Sequence, residues 1–509
     1  MQTANMNFFI FAAIGLLSLA GANVCGQGKA SGGAASILDM SKAQVISATV
    51  SRNTCARPEA LIDGNPTTQF EIIGPNTEAT VTIDLGRPCE IRAVRVTNGK
   101  TNPMLFLREV AIGPDDKHFR ALLSREINLP VWRGGDVEEI TVRPSVGRLV
   151  RITVFCGGNK GEISEVTFVG RENKLERHLL CWSGDVQKDF LDKIDYLDKD
   201  LGVTDLWLDY VATGFPQTNH NSGLQIWVDT GALKEFKNRG IRYWLGEHEA
   251  FTSMVREPKT LHDDVVWETT FRQMRQIYTK AHELGFAGLV YDAEDYTNVT
   301  EETKKKYKDR ADWVSPWTFF EEFGPSGKYY ERGRQVGKII HETIRGPLIQ
   351  LYEARMYAGQ PGCRDGNYWW LKGIYDEGVE IWIATEKTYG AGKGEVSNPE
   401  GLAWLRSWFV DMHDFIPSAF QAFPFATRII PGFHPWNCRL KAINYLPKYF
   451  DEQLTIAQTM TPAFWLYCEG NPSAGDPRDT LDRTFLKKYG VTPEDYLKVL
   501  SKHSSLRGR

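Results

Sequence analysis

Cysteine is scarce in this chain, eight residues in 509, with no C-x-x-C pair and no cysteine–histidine cluster at metal-ligand spacing. That excludes a structural zinc site and a small disulfide-stapled scaffold. Charge of either sign is nearly balanced, at −4 net, and no basic patch stands out. Nucleic acid and anionic membrane are therefore excluded as partners of the chain as a whole. No glycine-rich phosphate loop follows any apolar run, which removes the dinucleotide-binding class. Beyond the N-terminus no apolar stretch reaches about 20 residues without a charge, so no integral membrane segment is expected after processing. Aromatic residues, in contrast, are plentiful, at 12% with 15 Trp. Their faces fill cores and also stack on sugar rings. The length calls for more than one domain, at about 100–200 residues each.

Phe8 to Ala22 (FFIFAAIGLLSLAGA) is too short to span a bilayer and closes on Ala20-Gly21-Ala22. Residues 1–22 thus read as a signal peptide, although no Lys or Arg precedes the apolar run. A secreted or periplasmic location is expected. Lipoprotein anchoring through Cys25 is the weaker alternative, because Asn23 and Val24 are not the small residues of a lipobox. Residues 23–41, rich in Gly, Ala and Ser, read as a flexible linker. In an oxidising compartment one bridge is open to Cys55, Cys89 and Cys156.

Residues 42–171 show short alternating runs with Gly, Asp, Asn and Pro punctuation, the pattern of an all-β sandwich or jelly roll. ALIDGNPTTQF, VTIDLGRPCEIRAVRV, LVRITVF and ISEVTFVG occur in that order. They resemble the landmarks of a discoidin-like module, the coagulation-factor type C or galactose-binding-like fold, with Phe70 where that family commonly shows Trp. The resemblance implies a β-sandwich with sugar-binding loops and a structural calcium held by Asp63, Thr68 and Glu165. Carboxylate and carbonyl oxygens suit that ion. The alternative for Asp63-Gly64 is a plain tight turn, with Glu165 a surface charge.

Residues 178–509 change rhythm. HLLCWSGD, TDLWLDYVA, IRYWLGEHEA, GLVYDAEDY, LIQLYEARM, VEIWIATEK, FPFATRII and AFWLYCEGN alternate with segments of helical period such as TFRQMRQIYTKAHELG. Eight strand–helix alternations over this length predict an α/β TIM (β/α)8 barrel. Polar residues close the runs: Asp185, Asp209, Glu247, Asp292 with Glu294, Glu353, Glu386, Arg428 and Glu469. In barrel enzymes the C-terminal ends of the strands carry the chemistry.

On the fourth run Val290, Asp292 and Glu294 share one face of a strand. Two carboxyls so close raise one pKa and supply a general acid near neutral pH, the requirement for protonating a glycosidic oxygen. GLVYDAEDY resembles the fourth-strand end of chitinase-like glycoside hydrolases, with D-x-D-x-E reduced to its last D-x-E. Asp292 with Glu353 is similar to the amylase arrangement, and Asp292 with Glu386 to that of α-galactosidases. A separation of about 5–5.5 Å predicts retention, and about 6.5–9.5 Å inversion. Asp292 is expected as nucleophile or stabiliser and Glu294 or Glu386 as acid/base. Asp185, Asp209, Glu247, Tyr389, Arg428, His434, Trp436 and Glu469 are expected to bind substrate, a polysaccharide or glycan. No catalytic cofactor is called for. A metal set from Glu247, His248 and Glu249 is disfavoured by the opposite phase of His248. The rival function is a non-catalytic carbohydrate-binding or surface-adhesion protein with an inactive barrel.

Overall fold

Period-two alternation builds the first half. In this computed structural model, which describes residues 36–100, 105–116, 119–124, 134–182, 191–208, 220–248, 254, 258–292, 320–352, 366–385, 416, 419–420, 422–433, 435–436, 446–469, 477–481 and 483–503, nine strands form an antiparallel β-sandwich. They are β1 (Ser36–Ile37), β2 (Gln44–Val50), β3 (Thr54–Ala56), β4 (Phe70–Ile73), β5 (Thr77–Asn98), β6 (Leu105–Gly113), β7 (Arg120–Ser124), β8 (Val137–Cys156) and β9 (Lys160–Glu172). Their order is β3-β4-β9-β5-β8-β6-β7, with β1 on β9 and β2 on β5. The pairing of β5 with β8 slips between Asp84 and Cys89 and again between Ile91 and Ala93. Such irregularities bend a long strand so that one chain serves two layers. Phe70, Ile83, Val94, Val110, Ile152 and Phe168 fill the space between.

Two expectations change here. Ser36 and Ile37, within the expected linker, pair with Gly170 and Val169, because Leu38 beside them is buried in the sandwich core. The bridge open to Cys55, Cys89 and Cys156 is not formed, and all three are thiols. Burial pushes Cys89 up to about 11.

The second half is a ring of parallel strands: β10 (Glu176–Trp182), β11 (Asp205–Leu208), β12 (Arg242–His248), β13 (Leu289–Asp292), β14 (Leu348–Tyr352), β15 (Ile381–Thr385), β16 (Arg428–Phe433) and β17 (Ala463–Glu469). Each pairs with the next, and β17 pairs with β10 over seven residues, which closes the barrel. Both faces are buried, which is why the strands read as continuous apolar runs. Trp207, Trp244, Val290, Trp382 and Trp465 point inward as one cluster. Leu206, Leu245, Leu289, Tyr291 and Ile383 point outward, under helices that include Asp264–Leu284, Lys328–Glu342 and Gly366–Asp376. Among the described residues an interior void of about 10 Å³ lies between Asp205 and the indoles. That is room for at most one water, and the side chains around it form a packed core.

Sandwich and barrel belong to one compact unit, Ala35–Arg509. The Arg143 guanidinium donates to the carbonyls of Pro424 at 2.8 Å and Phe425 at 2.6 Å, just before β16. The Asn173 amide donates to those of Gln458 and Thr461, both at 2.8 Å, just before β17. The sandwich therefore meets the barrel at the end where its strands begin.

Candidate functional site

A packed barrel interior leaves the strand ends as the place for chemistry. At the C-terminal end β12 and β13 run in register, Gly246 opposite Val290, Glu247 opposite Tyr291 and His248 opposite Asp292. Gly246 has no side chain because Trp207 lies there, its indole nitrogen 1.8 Å from where a Cβ would stand. Val290 is in the interior cluster, so Asp292, two residues on, takes the same inward phase. Its carboxyl is 2% exposed at the last position of β13.

Around that carboxyl the expected residues divide. Glu469 ends β17, in register with Trp182 at the end of β10. Glu294, Glu353, Glu386, Asp185, Asp209, Tyr389 and His434 lie outside the described residues.

Three expected rim residues are placed elsewhere. Arg428 opens β16 instead of closing it. The chain turns through Pro424, which lacks the N–H a ladder needs, and Phe425 packs on Tyr368 with ring centroids 5.4 Å apart. Arg428 thus sits at the opposite end of the barrel, 4.3 Å over the Trp382 ring and 3.7 Å from Glu176. Glu247 follows Leu245 in the outward phase and is wholly buried between sheet and helices. Trp436 is buried too, with ring centroids 6.0 Å from Phe450 and 5.8 Å from Tyr496. An aromatic loop residue has become core.

Sequence reasoning missed the cluster that seals the barrel floor. Asp205 accepts from Arg242 at 2.7 Å and from the Trp244 indole at 2.7 Å. Glu176 lies 3.3 Å from Arg242. Burial opposes the charge of Arg242, and Asp205 and Glu176 outweigh it and raise its pKa. Asp205 opens its apolar run, and only the barrel register brings Arg242 beside it.

In the sandwich, Asp63 accepts from the Asn65 backbone N–H at 2.8 Å and from the Thr68 hydroxyl. Glu165 has its pKa raised by burial and by the negative charge of Asp63. A hard cation accepted by both carboxylates would relieve the repulsion. The structure pairs Thr68 with Asp63 and sets Glu165 within the electrostatic reach of Asp63.

No family model matches the chain, and no curated protein does. Among solved structures, the C-terminal domain of a chitobiase from Bacteroides fragilis is 16% identical, covering 27% of this chain and 99% of that one with a TM-score of 0.23. The CBM32 of AlyQ, solved with 4,5-unsaturated mannuronic acid, is 21% identical, covering 25% and 95% with a TM-score of 0.20. A CBM32 from Clostridium perfringens, solved with GalNAc-beta-1,3-galactose, is 17% identical, covering 26% and 99% with a TM-score of 0.22. The matched part is the N-terminal β-sandwich.

Chemically, the rim offers a buried carboxyl at a rigid strand end, beside the position of a histidine. Among the described residues no group of three or more His, Cys, Asp or Glu is arranged to hold a metal.

Proposed function

We propose that the chain is a secreted or periplasmic glycoside hydrolase in which a (β/α)8 barrel cleaves the O-glycosidic bonds of a polysaccharide or glycan. The discoidin-like sandwich would serve as its carbohydrate-binding module, with calcium held by Asp63, Thr68 and Glu165. The observation that carries the reading is Asp292, a buried carboxyl in the inward phase of β13 at the C-terminal end of a closed parallel barrel. Two further facts support it: the interior below Asp292 is filled, and the sandwich meets the barrel at the other end.

In this mechanism Asp292 attacks or stabilises the anomeric carbon as positive charge develops there. Glu294 or Glu386 protonates the leaving oxygen and then takes a proton from the water that replaces it at the anomeric carbon and frees Asp292, with Glu353 the remaining partner for Asp292. Leu351 and Ala384, two residues before Glu353 and Glu386, belong to the interior cluster. Glu469, Asp185, Asp209, Tyr389 and His434 would line the cleft. No cofactor takes part in the chemistry.

The test is hydrolysis of a broad panel of poly- and oligosaccharides by the full chain and by Asp292→Asn, Glu294→Gln, Glu353→Gln and Glu386→Gln. Loss of about 10²–10⁴-fold in kcat in two of the four names the carboxylate pair. Saccharide binding with no product from any substrate would instead establish the binding-protein reading.

A further inference from the structure

Glu247 is a carboxyl in the wrong company. It has no solvent exposure, and neither carboxyl oxygen has a hydrogen bond of good geometry. Burying a carboxyl with no cation beside it among the described residues costs stability, and leucine would fill the same space more cheaply. Groups that break a local rule in this way gather at functional sites.

Its surroundings are specific. From β13 comes Tyr291 and from the Asp264–Leu284 helix comes Tyr278, their hydroxyls 2.9 Å apart. They are the titratable groups that face it among the described residues, since β11 presents Leu206 and Leu208 on that side. Glu247 is the register partner of Tyr291, and each precedes one member of the His248–Asp292 pair. We propose that Glu247 is a positioning residue for Asp292, acting through the Tyr278–Tyr291 hydroxyl pair and the shared rim end of β12 and β13.

While neutral, Glu247 can share its proton with the two hydroxyls and hold the strand ends together. Burial pushes its carboxyl up to about 8, against the opposing pull of the tyrosine hydroxyls. Ionisation would put a negative charge, eased only by the two hydroxyls, between sheet and helix one residue from the rim. The catalytic meaning of this role rests on the hydrolase reading, whereas the strand coupling does not.

The experiment is hydrogen exchange of the full chain between about pH 6 and about pH 9, corrected for the intrinsic amide rate, in wild type, Glu247→Gln and Tyr291→Phe. Protection in β12 and β13 of the wild type should fall by roughly tenfold relative to β15 as Glu247 ionises, and should hold steady in Glu247→Gln. Should Glu247→Gln misfold, Glu247→Leu takes its place. Equal pH responses in wild type and variant, or loss spread evenly over all eight strands, would overturn the proposal. With an active substrate, Glu247→Gln should also move the alkaline limb of kcat/KM upward and leave the acid limb in place. An unmoved alkaline limb counts against the positioning role. Absence of any turnover with the exchange difference intact defeats the hydrolase reading alone.

Discussion

Glu165 and Asp63 show what one residue reports about a ligand. Their mutual repulsion adds to the burial that raises Glu165, and a divalent cation is the group that reverses such a penalty. Millimolar calcium should therefore raise the thermal midpoint of the wild type, while Glu165→Gln should show no calcium response; calorimetry with and without a chelator decides this. The outcome to be feared is an equal shift in both. Glu247 makes the opposite point. A carboxyl whose folded pKa is raised contributes most stability below its unfolded value, ordinarily 4.5, and loses that contribution as pH rises toward about 8. A protein that keeps such a group weakens itself on the alkaline side. The residue types were visible in the sequence in both cases, but the direction of Glu247 was not: GEHEA looks the same whether its first Glu faces the cleft or the helices.

Elements were more legible than their ends. Eight apolar runs separated by helical segments announce a parallel barrel because strands buried on both faces need no polar alternation. The same lack of alternation hides the first residue of each strand, which is how Arg428 in FPFATRII came to be expected at the rim and is found at the floor. Helix ends are written more plainly. The Asp263 carboxylate accepts from the backbone N–H groups of Val265 at 3.1 Å and Val266 at 3.2 Å. Gly285 closes the same helix at φ 90°, a conformation glycine adopts without strain. Asp263→Ala should cost about 0.5–2 kcal/mol in urea denaturation. Since this helix carries Tyr278, the change should loosen the Glu247 layer as well, whereas a purely local effect would leave exchange in β12 untouched.

At the scale of the molecule the sandwich and barrel are joined by buried ions as well as by backbone. Glu90 is 2% exposed and lies 2.7 Å from Arg171 and 2.9 Å from Arg92. Burial works against its charge, and Arg171 and Arg92 more than compensate, lowering its pKa. Its contribution is therefore present above the ordinary glutamate range and fades as pH falls. Arg171 also reaches Glu176 at the start of the barrel, at 3.6 Å. Arg171→Met leaves Glu90 half paired and should cost about 3 kcal/mol. We expect one calorimetric transition for the wild type and two for this variant; two in the wild type would mean the halves are energetically independent. None of this was readable from spacing, because Glu90, Arg171 and Glu176 meet only once two domains have folded.

Along β9, Glu165 and Arg171 are separated by roughly 20 Å of extended strand, so the Asp63 loop lies at the end of the sandwich away from the barrel floor. The barrel mouth faces away from that floor on its own side. Under the proposed function, a saccharide held beside that loop and cut at the mouth would have to run the length of both halves. A long polymer or a coated surface would then meet both ends at once, and a disaccharide would meet one.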